Sequence, residues 1–223
     1  MKTKLKLVIC TTNKSKSDDI KYIINEFKVF ESNRFEYEVM NLSEFTDIDL
    51  GDAPETCDTV RGNAKQKVDY YHDLLSSNGL LKNNVILISE DTGLFIDALD
   101  GAPGVKTARF SGVHDYRRTN EAILNLMEGK KNRYACIKSS ISIASMGYQL
   151  SESFEESIRC KIAREESKTP GFAFDTIVSP IGCNNCSITY SELGSLYSKD
   201  HRVSMLPRTY AVLSALEYIE NNY

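Results

Sequence analysis

The chain has 223 residues, a length that predicts a single domain over residues 1–223 or a compact two-lobed unit. Its 27 Lys and Arg residues against 31 Asp and Glu residues give a net charge of −4, without the broad basic surface of a duplex-binding protein. No apolar run approaches the ~18 residues that span a bilayer, and no signal peptide precedes the first strand. We therefore expect a cytoplasmic protein that binds neither nucleic acid nor membrane, with its six dispersed cysteines reduced.

The hydrophobic pattern predicts strands that alternate with helices in the first half of the chain. Apolar runs predict strands over 5–10, 35–42 and 85–88. Helical periods between them predict helices over 15–27 and 59–75. The acidic segment 44–58 is predicted as a loop. The segment 89–112, which is rich in Gly and Asp, is predicted as a loop region with short elements.

The second half of the chain is predicted to be richer in β-structure. Its elements are a helix over 119–127, a hairpin of strands 133–146 and 149–163 joined near Gly147, a strand over 172–178, and a helix over 207–220. One face of that last helix is expected to carry Leu206, Tyr210, Leu213, Leu216 and Ile219. The whole pattern favours an α/β fold with a mixed β-sheet and flanking helices, in two lobes around a central cleft.

The segment Thr11–Lys16 (TTNKSK) joins the first strand to the first helix. A polar turn that opens a helix offers free backbone N–H groups and a partial positive charge, which suit a phosphate. Lys14 and Lys16 add cations, but the segment lacks the glycine pattern of a P-loop. On the residues alone, a capped surface helix with solvated lysines remains the alternative.

The segment Ser89–Leu94 (SEDTGL) follows the apolar strand 85–88 directly. Open α/β sheets bind ligands at the carboxyl ends of their strands, where Glu90 and Asp91 are expected to lie. Carboxylates are hard oxygen ligands for Mg²⁺, and one of them beside a water molecule can act as its general base. The alternative is an acidic turn in which Asp91 caps backbone N–H groups.

The sequence pattern does not decide the role of two further segments. The irregular loop 100–112 carries Lys106 and Arg109, which either face a phosphate or lie exposed to solvent. Cys183 and Cys186 form one C-x-x-C pair, which is a weak zinc signal without a second pair. A turn with two incidental thiols is therefore the favoured interpretation of that pair.

Two late segments carry groups that suit a nucleoside. Phe172 and Phe174 are expected on one face of a strand, either stacking on a planar base or packing in the core. His201 and Arg202 supply hydrogen-bond donors for a phosphate or a carbonyl oxygen, unless they form an ordinary surface pair.

Taken in order, these segments resemble the inosine triphosphate pyrophosphatase family, which acts on non-standard purine nucleoside triphosphates. The resemblance extends from about residue 7 to 219 and is most specific over 89–112. It implies an elongated mixed sheet, a homodimer, and Mg²⁺ held by Glu55 and Asp91, with Asp91 also accepting the proton. The implied substrate-binding residues are Thr11, Thr12, Asn13, Lys14, Ser15, Lys16, Lys67, Thr92, Phe172, Ala173, Phe174, Asp175, His201 and Arg202.

The sequence departs from the pattern of that family at four positions. Thr12 stands where the family usually has Gly, Gly62 replaces a common Glu, and Thr176 replaces the usual Pro. The family lysine five residues before the His–Arg pair is Leu196 here, and Lys199 follows three residues later. The residue that replaces the lysine in base recognition is therefore an open question.

The resemblance implies hydrolysis of inosine, deoxyinosine and xanthosine triphosphates to the monophosphate and pyrophosphate. Two alternatives remain open from the sequence. One is a catalytically weak nucleotide-binding homologue, and the other is a pyrophosphatase for modified pyrimidine or methylated nucleotides. Discrimination of a 6-oxo purine is expected to rest on Asp175, His201 and Arg202, because an unmatched buried polar group is costly.

Overall fold

The computed structural model describes residues 2–27, 31–182 and 188–223, so that Cys183 and Cys186 lie outside the described residues. The strands are β1 (Thr3–Ile9), β2 (Phe35–Asn41), β3 (Val85–Ile96), β4 (Pro103–Gly104), β5 (Tyr134–Ser145), β6 (Ser151–Ile162) and β7 (Val178–Pro180). The α-helices are α1 (Lys14–Asn25), α2 (Leu42–Phe45), α3 (Val60–Ser77), α4 (Tyr116–Leu126), α5 (Tyr190–Leu196), α6 (Lys199–Ser204) and α7 (Pro207–Asn222). No helix within the described ranges is long and apolar enough to cross a membrane.

One seven-stranded sheet has the order β2-β1-β3-β5-β6-β7, with the short β4 paired to β3. β1 is parallel to both β2 and β3, and Leu7 lies opposite Val39 on one side and Ile86 on the other. The pairs β3–β4 and β6–β7 are antiparallel. The predicted mixed α/β fold is therefore confirmed, and so is the predicted hairpin of β5 and β6.

The chain forms two compact units. The first unit comprises the chain up to Asp91, together with Ser139–Glu156 and Arg208–Tyr223. Its core packs the central strands β1 and β3 against α3, through apolar side chains that include Val8, Val68, Leu75, Leu87 and Ala144. A parallel strand with both faces covered needs a continuous apolar run, which explains why LVI and VILI show no polar alternation.

The second unit comprises Thr92–Lys138 and Ser157–Pro207. Its core gathers the second half of β3 with β5, β6, α4 and α5, through side chains that include Leu94, Ile123, Ile137, Ile162 and Tyr190. The helix α5 was not predicted. It begins with a capping box, in which Thr189 accepts from the N–H of Glu192 and the Glu192 carboxylate accepts from the N–H of Thr189.

The prediction of a loop from residue 89 is wrong for its first part, because β3 continues through Ile96. Leu94 and Ile96 are buried in the second core, so the strand stays a buried element beyond its polar segment. Gly93 has no side chain, and a Cβ there would lie 2.7 Å from the carbonyl oxygen of Gly104 on the paired β4. The polar run SEDTG concealed the strand, since it places polar residues in the middle of a buried element.

The predicted strand 172–178 is also wrong. Residues 172–177 form a turn, and the strand β7 begins only at Val178. The N–H of Asp175 donates to the carbonyl of Phe172 at 2.9 Å, and Ala173 has a φ of 52°, which no strand accommodates. Phe172 and Phe174 therefore do not share a strand face, and Phe174 lies in the core of the second unit.

The last helix is confirmed as α7, and Leu206, Leu216 and Ile219 of its predicted face are buried, but Tyr210 is not. Tyr210 is 46% exposed, whereas Ala211, Ala215 and Ile219 are buried. Small alanine side chains let α7 pack closely, and the bulky tyrosine turns outward. Arg208 and Thr209, near the start of the helix, are buried as well.

Candidate active site

The turn after β1 is built around Asn13, which caps α1. The Asn13 side chain accepts from the N–H of Lys16 at 3.2 Å, and the Thr11 hydroxyl accepts from the N–H of Asn13 at 3.2 Å. The Lys14 side chain is 89% exposed and pairs with Asp18 on the same helix. The interpretation as a solvated lysine thus holds for Lys14, whereas Lys16 turns inward toward β3.

Part of this turn lies beside a cavity in the first unit. Thr11, Thr12 and Lys14 contribute to the lining of a space of about 710 Å³, which the loop 46–51 also borders. Thr12 is exposed, so the side chain that stands in place of the family glycine projects to solvent, and Ser15 is half-buried.

Glu90 and Asp91 occupy the middle of β3 rather than a turn. Glu90 is fully buried, and its Oε2 lies 2.7 Å from the Nζ of Lys16. Asp91 accepts from the Asn63 side-chain amide at 3.2 Å, and its other oxygen lies 3.9 Å from Lys16 Nζ and 3.5 Å from Lys67 Nζ. The two adjacent carboxylates are thereby held by Lys16 of α1 and by Asn63 and Lys67 of α3.

Lys67 lies on the buried face of α3 and contacts both Glu55 and the backbone of β3. Its Nζ lies 2.5 Å from Glu55 Oε1 and donates to the backbone carbonyl of Glu90 at 3.0 Å. Glu55 itself comes from the segment before α3, so its ion pair with Lys67 ties that segment to the helix. The structure therefore brings Lys16, Lys67, Glu55 and Asp91 together, as the sequence predicts.

The segment that carries Glu55 is also held by the first turns of α3. The N–H of Cys57 donates to the Asn63 side chain and the N–H of Thr56 donates to Gln66, both at 2.9 Å. A Cβ at Gly62 would lie 2.7 Å from the Cβ of Cys57. Gly62 therefore permits the close approach of this segment, which gives a physical reason for the departure from Glu at that position.

Together these residues form an alternating chain of charges, here called the charged cluster. It consists of Asp19, Arg208, Glu90, Lys16, Asp91, Lys67 and Glu55, in which each group lies within 4 Å of the next. Four carboxylates and three cations leave one excess negative charge. Burial raises the pKa of Asp91 above its usual range, although the nearby lysines oppose that shift.

The sequence did not single out Asp19 and Arg208, the outer members of the charged cluster. A signal for Arg208 existed: it is a lone arginine at the start of an apolar helix, and a buried charge requires a partner. Its partners were not evident, because they lie 118 and 189 residues away along the chain.

The second unit contains the predicted base-facing residues. Arg202 Nη2 donates to Asp175 Oδ2 at 3.0 Å, and both side chains are largely buried. Arg202 and His201 lie on α6, a short helix that the sequence did not predict and that Ser198 caps. The ring of His201 packs against that of Tyr197 with centroids 4.7 Å apart.

The turn of residues 172–177, here called the base turn, is held by side chains that the sequence did not predict. The Asn120 amide donates to the carbonyl of Ala173 at 2.9 Å and to the hydroxyl of Thr176 at 3.0 Å. The Thr176 hydroxyl donates in turn to Glu166 at 2.7 Å. Phe172 packs against Tyr116 with ring centroids 5.6 Å apart.

Several other predicted groups lie at the surface of the second unit. Leu196 is 65% exposed at the end of α5, and Lys199 is exposed at the first position of α6. Lys106 and Arg109 are exposed too, while Thr107 between them turns inward and accepts from the N–H of Leu94 at 2.9 Å. The half-buried Thr92 follows Asp91 directly on β3.

Comparison with known proteins decides the family. The family model described as the Ham1 family matches residues 7–212. The chain belongs to the Ham1 family. It is similar in sequence to a dITP/XTP pyrophosphatase of Listeria monocytogenes. The two are 32% identical over 175 residues, which cover 77% of this chain and 77% of the relative. A dITP/XTP pyrophosphatase of Flavobacterium johnsoniae is 30% identical over 190 residues, or 85% of this chain and 86% of the relative.

Solved Ham1 structures share the fold. The Ham1 protein of Staphylococcus aureus superposes with a TM-score of 0.74 at 24% identity, over 98% of this chain and 100% of that one. A HAM1 protein of Coxiella burnetii gives the same TM-score at 20% identity, over 97% and 99% of the two chains. The resemblance drawn from the order of the motifs is thus confirmed at the level of family and fold.

In this Ham1-family chain, the carboxylates of Glu55 and Asp91 are oxygen ligands that suit a hard cation, but they do not form a complete metal site by themselves. Among residues 2–27, 31–182 and 188–223, no three His, Cys, Asp or Glu side chains converge as a metal site. Glu55 and Asp91 instead flank the ammonium of Lys67 from two sides. Mg²⁺ is commonly bound by one or two carboxylates together with the phosphates of a substrate, so these two residues fit it as partners of a phosphorylated ligand.

Proposed function

We propose that this Ham1-family protein hydrolyses the triphosphates of non-standard purine nucleosides (dITP, XTP and ITP) to the monophosphate and pyrophosphate. The observation that carries the proposal is the similarity to relatives named dITP/XTP pyrophosphatases, at about 30% identity over three quarters or more of the chain. The charged cluster supports it, because a buried set of lysines and carboxylates is suited to a phosphoric anhydride.

Lys16 and Lys67 are the residues that would meet the triphosphate. Each ammonium lies between carboxylates in the structure, so it is already placed before any phosphate arrives. Once a phosphate oxygen has replaced a carboxylate as the partner of each ammonium, a cation held where charge develops stabilises the transition state more than a solvated one. The start of α1 adds backbone N–H groups that suit the same anion.

Asp91 is the proposed proton acceptor. A water molecule attacks the α-phosphorus, its oxygen forms the new bond, and the bond to the bridging oxygen of the pyrophosphate breaks. Asp91 takes the proton of that water. Burial raises its pKa, which makes its carboxylate a stronger base than a solvated aspartate while the two lysines still favour the ionised form.

Glu55 and Asp91 are the residues that would hold Mg²⁺. When bound, the ion neutralises the triphosphate and lowers the pKa of its bound water. The ammonium of Lys67 lies 2.5 Å from Glu55 and 3.5 Å from Asp91, so Lys67 must move aside for both carboxylates to bind the ion. A phosphate oxygen is the partner that Lys67 would then take.

The base turn and α6 are the proposed recognition elements for the purine. Asp175 and Arg202 offer an acceptor and a donor that already pair with each other. A 6-oxo purine satisfies donors at its ring carbonyl, whereas a 6-amino purine leaves them unmatched. Phe172, half-buried on the base turn, offers a face for stacking.

A pyrophosphate-release panel tests the proposed function. The purified protein is assayed with dITP, XTP, ITP, dATP, dGTP, and methylated and modified pyrimidine triphosphates. We expect the inosine and xanthosine compounds to lead by kcat/KM, with the monophosphate and pyrophosphate as products. Release of inorganic phosphate alone, or preference for a methylated or pyrimidine substrate, would contradict the proposal. Binding without turnover would indicate a catalytically weak homologue instead.

A homodimer in the cytoplasm also remains a proposal, which rests on the family resemblance. Sedimentation analysis of the purified protein at several concentrations measures the oligomeric state. We expect a stable species of twice the chain mass of 25.1 kDa. A monomer at micromolar concentration would contradict this expectation.

A further inference from the structure

Arg208 is a buried cation at the start of α7, and none of the predicted site motifs includes it. Its Nε donates to Glu90 Oε1 at 3.1 Å, and its Nη1 donates to Asp19 Oδ2 at 2.9 Å. The residue is 9% exposed. Arg208 therefore ties the start of α7 to β3 through one carboxylate and to α1 through the other.

Glu90 is the link between Arg208 and the lysine that would meet the substrate. A carboxylate with 0% exposure is costly to bury unless cations and hydrogen bonds compensate it. Arg208 compensates one of its oxygens, and the ammonium of Lys16 lies 2.7 Å from the other. Arg208 thus fixes the Glu90 carboxylate through Oε1, and the carboxylate in turn fixes the Lys16 ammonium through Oε2.

Asp19 gives Arg208 a second contact with α1, the helix that carries Lys16. Asp19 follows Lys16 by three residues on α1, so the two side chains lie on one face of the helix. Arg208 contacts Asp19 directly and reaches Lys16 through Glu90. Two attachments on one face fix the rotation of α1 about its axis, and with it the position of the Lys16 ammonium.

We propose that Arg208 is a positioning residue for Lys16, acting through Glu90 and Asp19. The guanidinium is buried and donates to two carboxylates of the charged cluster. When Lys16 turns from Glu90 to a phosphate oxygen, Arg208 remains as the partner of the buried carboxylate. This inference rests on the triphosphate hydrolysis proposed above.

A double-mutant cycle on kcat/KM for dITP tests the inference. Arg208→Lys keeps the charge but removes the planar fork that spans both carboxylates. We expect it to lower kcat/KM about tenfold in the wild-type background, the scale of one charge-assisted hydrogen bond. In the Lys16→Ala background the same change is expected to cost less than about twofold, because the group that Arg208 positions is gone. Losses that multiply in the double variant would overturn the inference.

Controls separate positioning from folding. Arg61→Lys alters an exposed ion pair with Glu152 in the same unit, and its kcat/KM is expected to stay at the wild-type value. Thermal unfolding confirms that each variant is folded at the assay temperature. If Arg208→Lys is not, Asp19→Asn takes its place in the cycle, because it loosens one hold on Arg208 and retains the contact with Glu90.

The outcomes for the two proposals are distinct. A wild-type protein that releases no pyrophosphate from any nucleotide of the panel overturns the proposed function, and this inference with it. A wild-type protein that hydrolyses dITP, combined with losses that multiply in the cycle, overturns the role of Arg208 alone. Turnover combined with a cycle in which the Arg208→Lys loss disappears supports both.

Discussion

The side chains of Lys16 and Lys67 in the first unit are held by ion pairs, whereas the backbone that carries Asp175 and Phe172 in the second unit is held as a turn. The charged cluster joins four carboxylates and three cations that come from segments far apart in sequence. The base turn is fixed mainly by hydrogen bonds of its own backbone and by the Asn120 amide. The proposed function assigns the triphosphate to the first region and the base to the second.

The difference has a consequence for mutation. Neutralising Asp91, a carboxylate of the cluster whose pKa burial raises, should impair the chemistry more than the fold, because its charged form opposes folding. Disturbing the base turn alters the path of the backbone, so stability and selectivity should change together. The following experiments, in order of expected effect, test this contrast.

Removal of divalent metal should abolish activity. Glu55 and Asp91 are hard oxygen ligands, and the described residues offer no group of three metal-binding side chains that would retain an ion tightly. Assays after exhaustive chelation, followed by addition of Mg²⁺ or Zn²⁺, measure this dependence. We expect recovery with Mg²⁺. Full activity after chelation, or recovery with zinc alone, would show that the hard-oxygen assignment is wrong.

Asp91→Asn should lower kcat by ~10²–10⁴-fold, because the amide cannot accept the proton. The unfolding temperature near neutral pH should not fall. Burial raises the folded-state pKa of Asp91 above its unfolded value, so its charged form opposes folding at pH above both values. That destabilisation begins to decrease as the pH falls through the folded-state pKa and is gone below the unfolded-state pKa, whereas Asn removes it at every pH. Retention of more than about a tenth of kcat would contradict the assignment.

Arg202→Ala should collapse the discrimination between dITP and dATP. The substitution removes the donor that pairs with Asp175 and leaves a largely buried carboxylate without it. We expect the ratio of the two kcat/KM values to fall by about 10- to 150-fold, the scale of a hydrogen bond to a charged group. Lys199→Ala is the matched control, since Lys199 is exposed and should leave the ratio unchanged. A large change in the control would give Lys199 the role of the missing family lysine.

Gly171→Ala should destabilise the second unit by ~1–3 kcal/mol through overpacking. A Cβ there would lie 2.6 Å from the Cβ of Ser191 and 3.1 Å from that of Asp175. Urea unfolding measures the change in the free energy of unfolding. Gly194→Ala in α5 is the control, because its Cβ would meet Arg202 at an ordinary 3.4 Å, and alanine favours a helix. Equal stability of the two variants would refute the close packing of the base turn.

Thr176→Val should have the smallest effect, about 1 kcal/mol in the free energy of unfolding. Valine keeps the shape of threonine but removes the hydroxyl that links Asn120 to Glu166. The Asn120 amide retains the carbonyl of Ala173, so the base turn should persist with a modest rise in KM for dITP. A variant with unchanged stability and kinetics would show that this hydroxyl does not help to hold the turn.

The sequence predicted the elements whose local signals agree with their environment. Central strands β1 and β3 have continuous apolar runs, and Thr59 accepts from the N–H of Gly62 as the cap of α3. The order of the motifs was specific enough to predict the family and to bring Lys16, Lys67, Glu55 and Asp91 into one group. These features are encoded within a few residues of where they act.

Tertiary structure alone decided the features that depend on distant partners. The polar run SEDTG continues β3 because neighbouring strands supply its hydrogen bonds, and the alternating FAFD forms a turn because Asn120 and the core hold it there. Arg208 finds Glu90 and Asp19 across 118 and 189 residues, a pairing that no local pattern records. A buried charge requires a partner, but only the packing of the chain determines which residue that partner is.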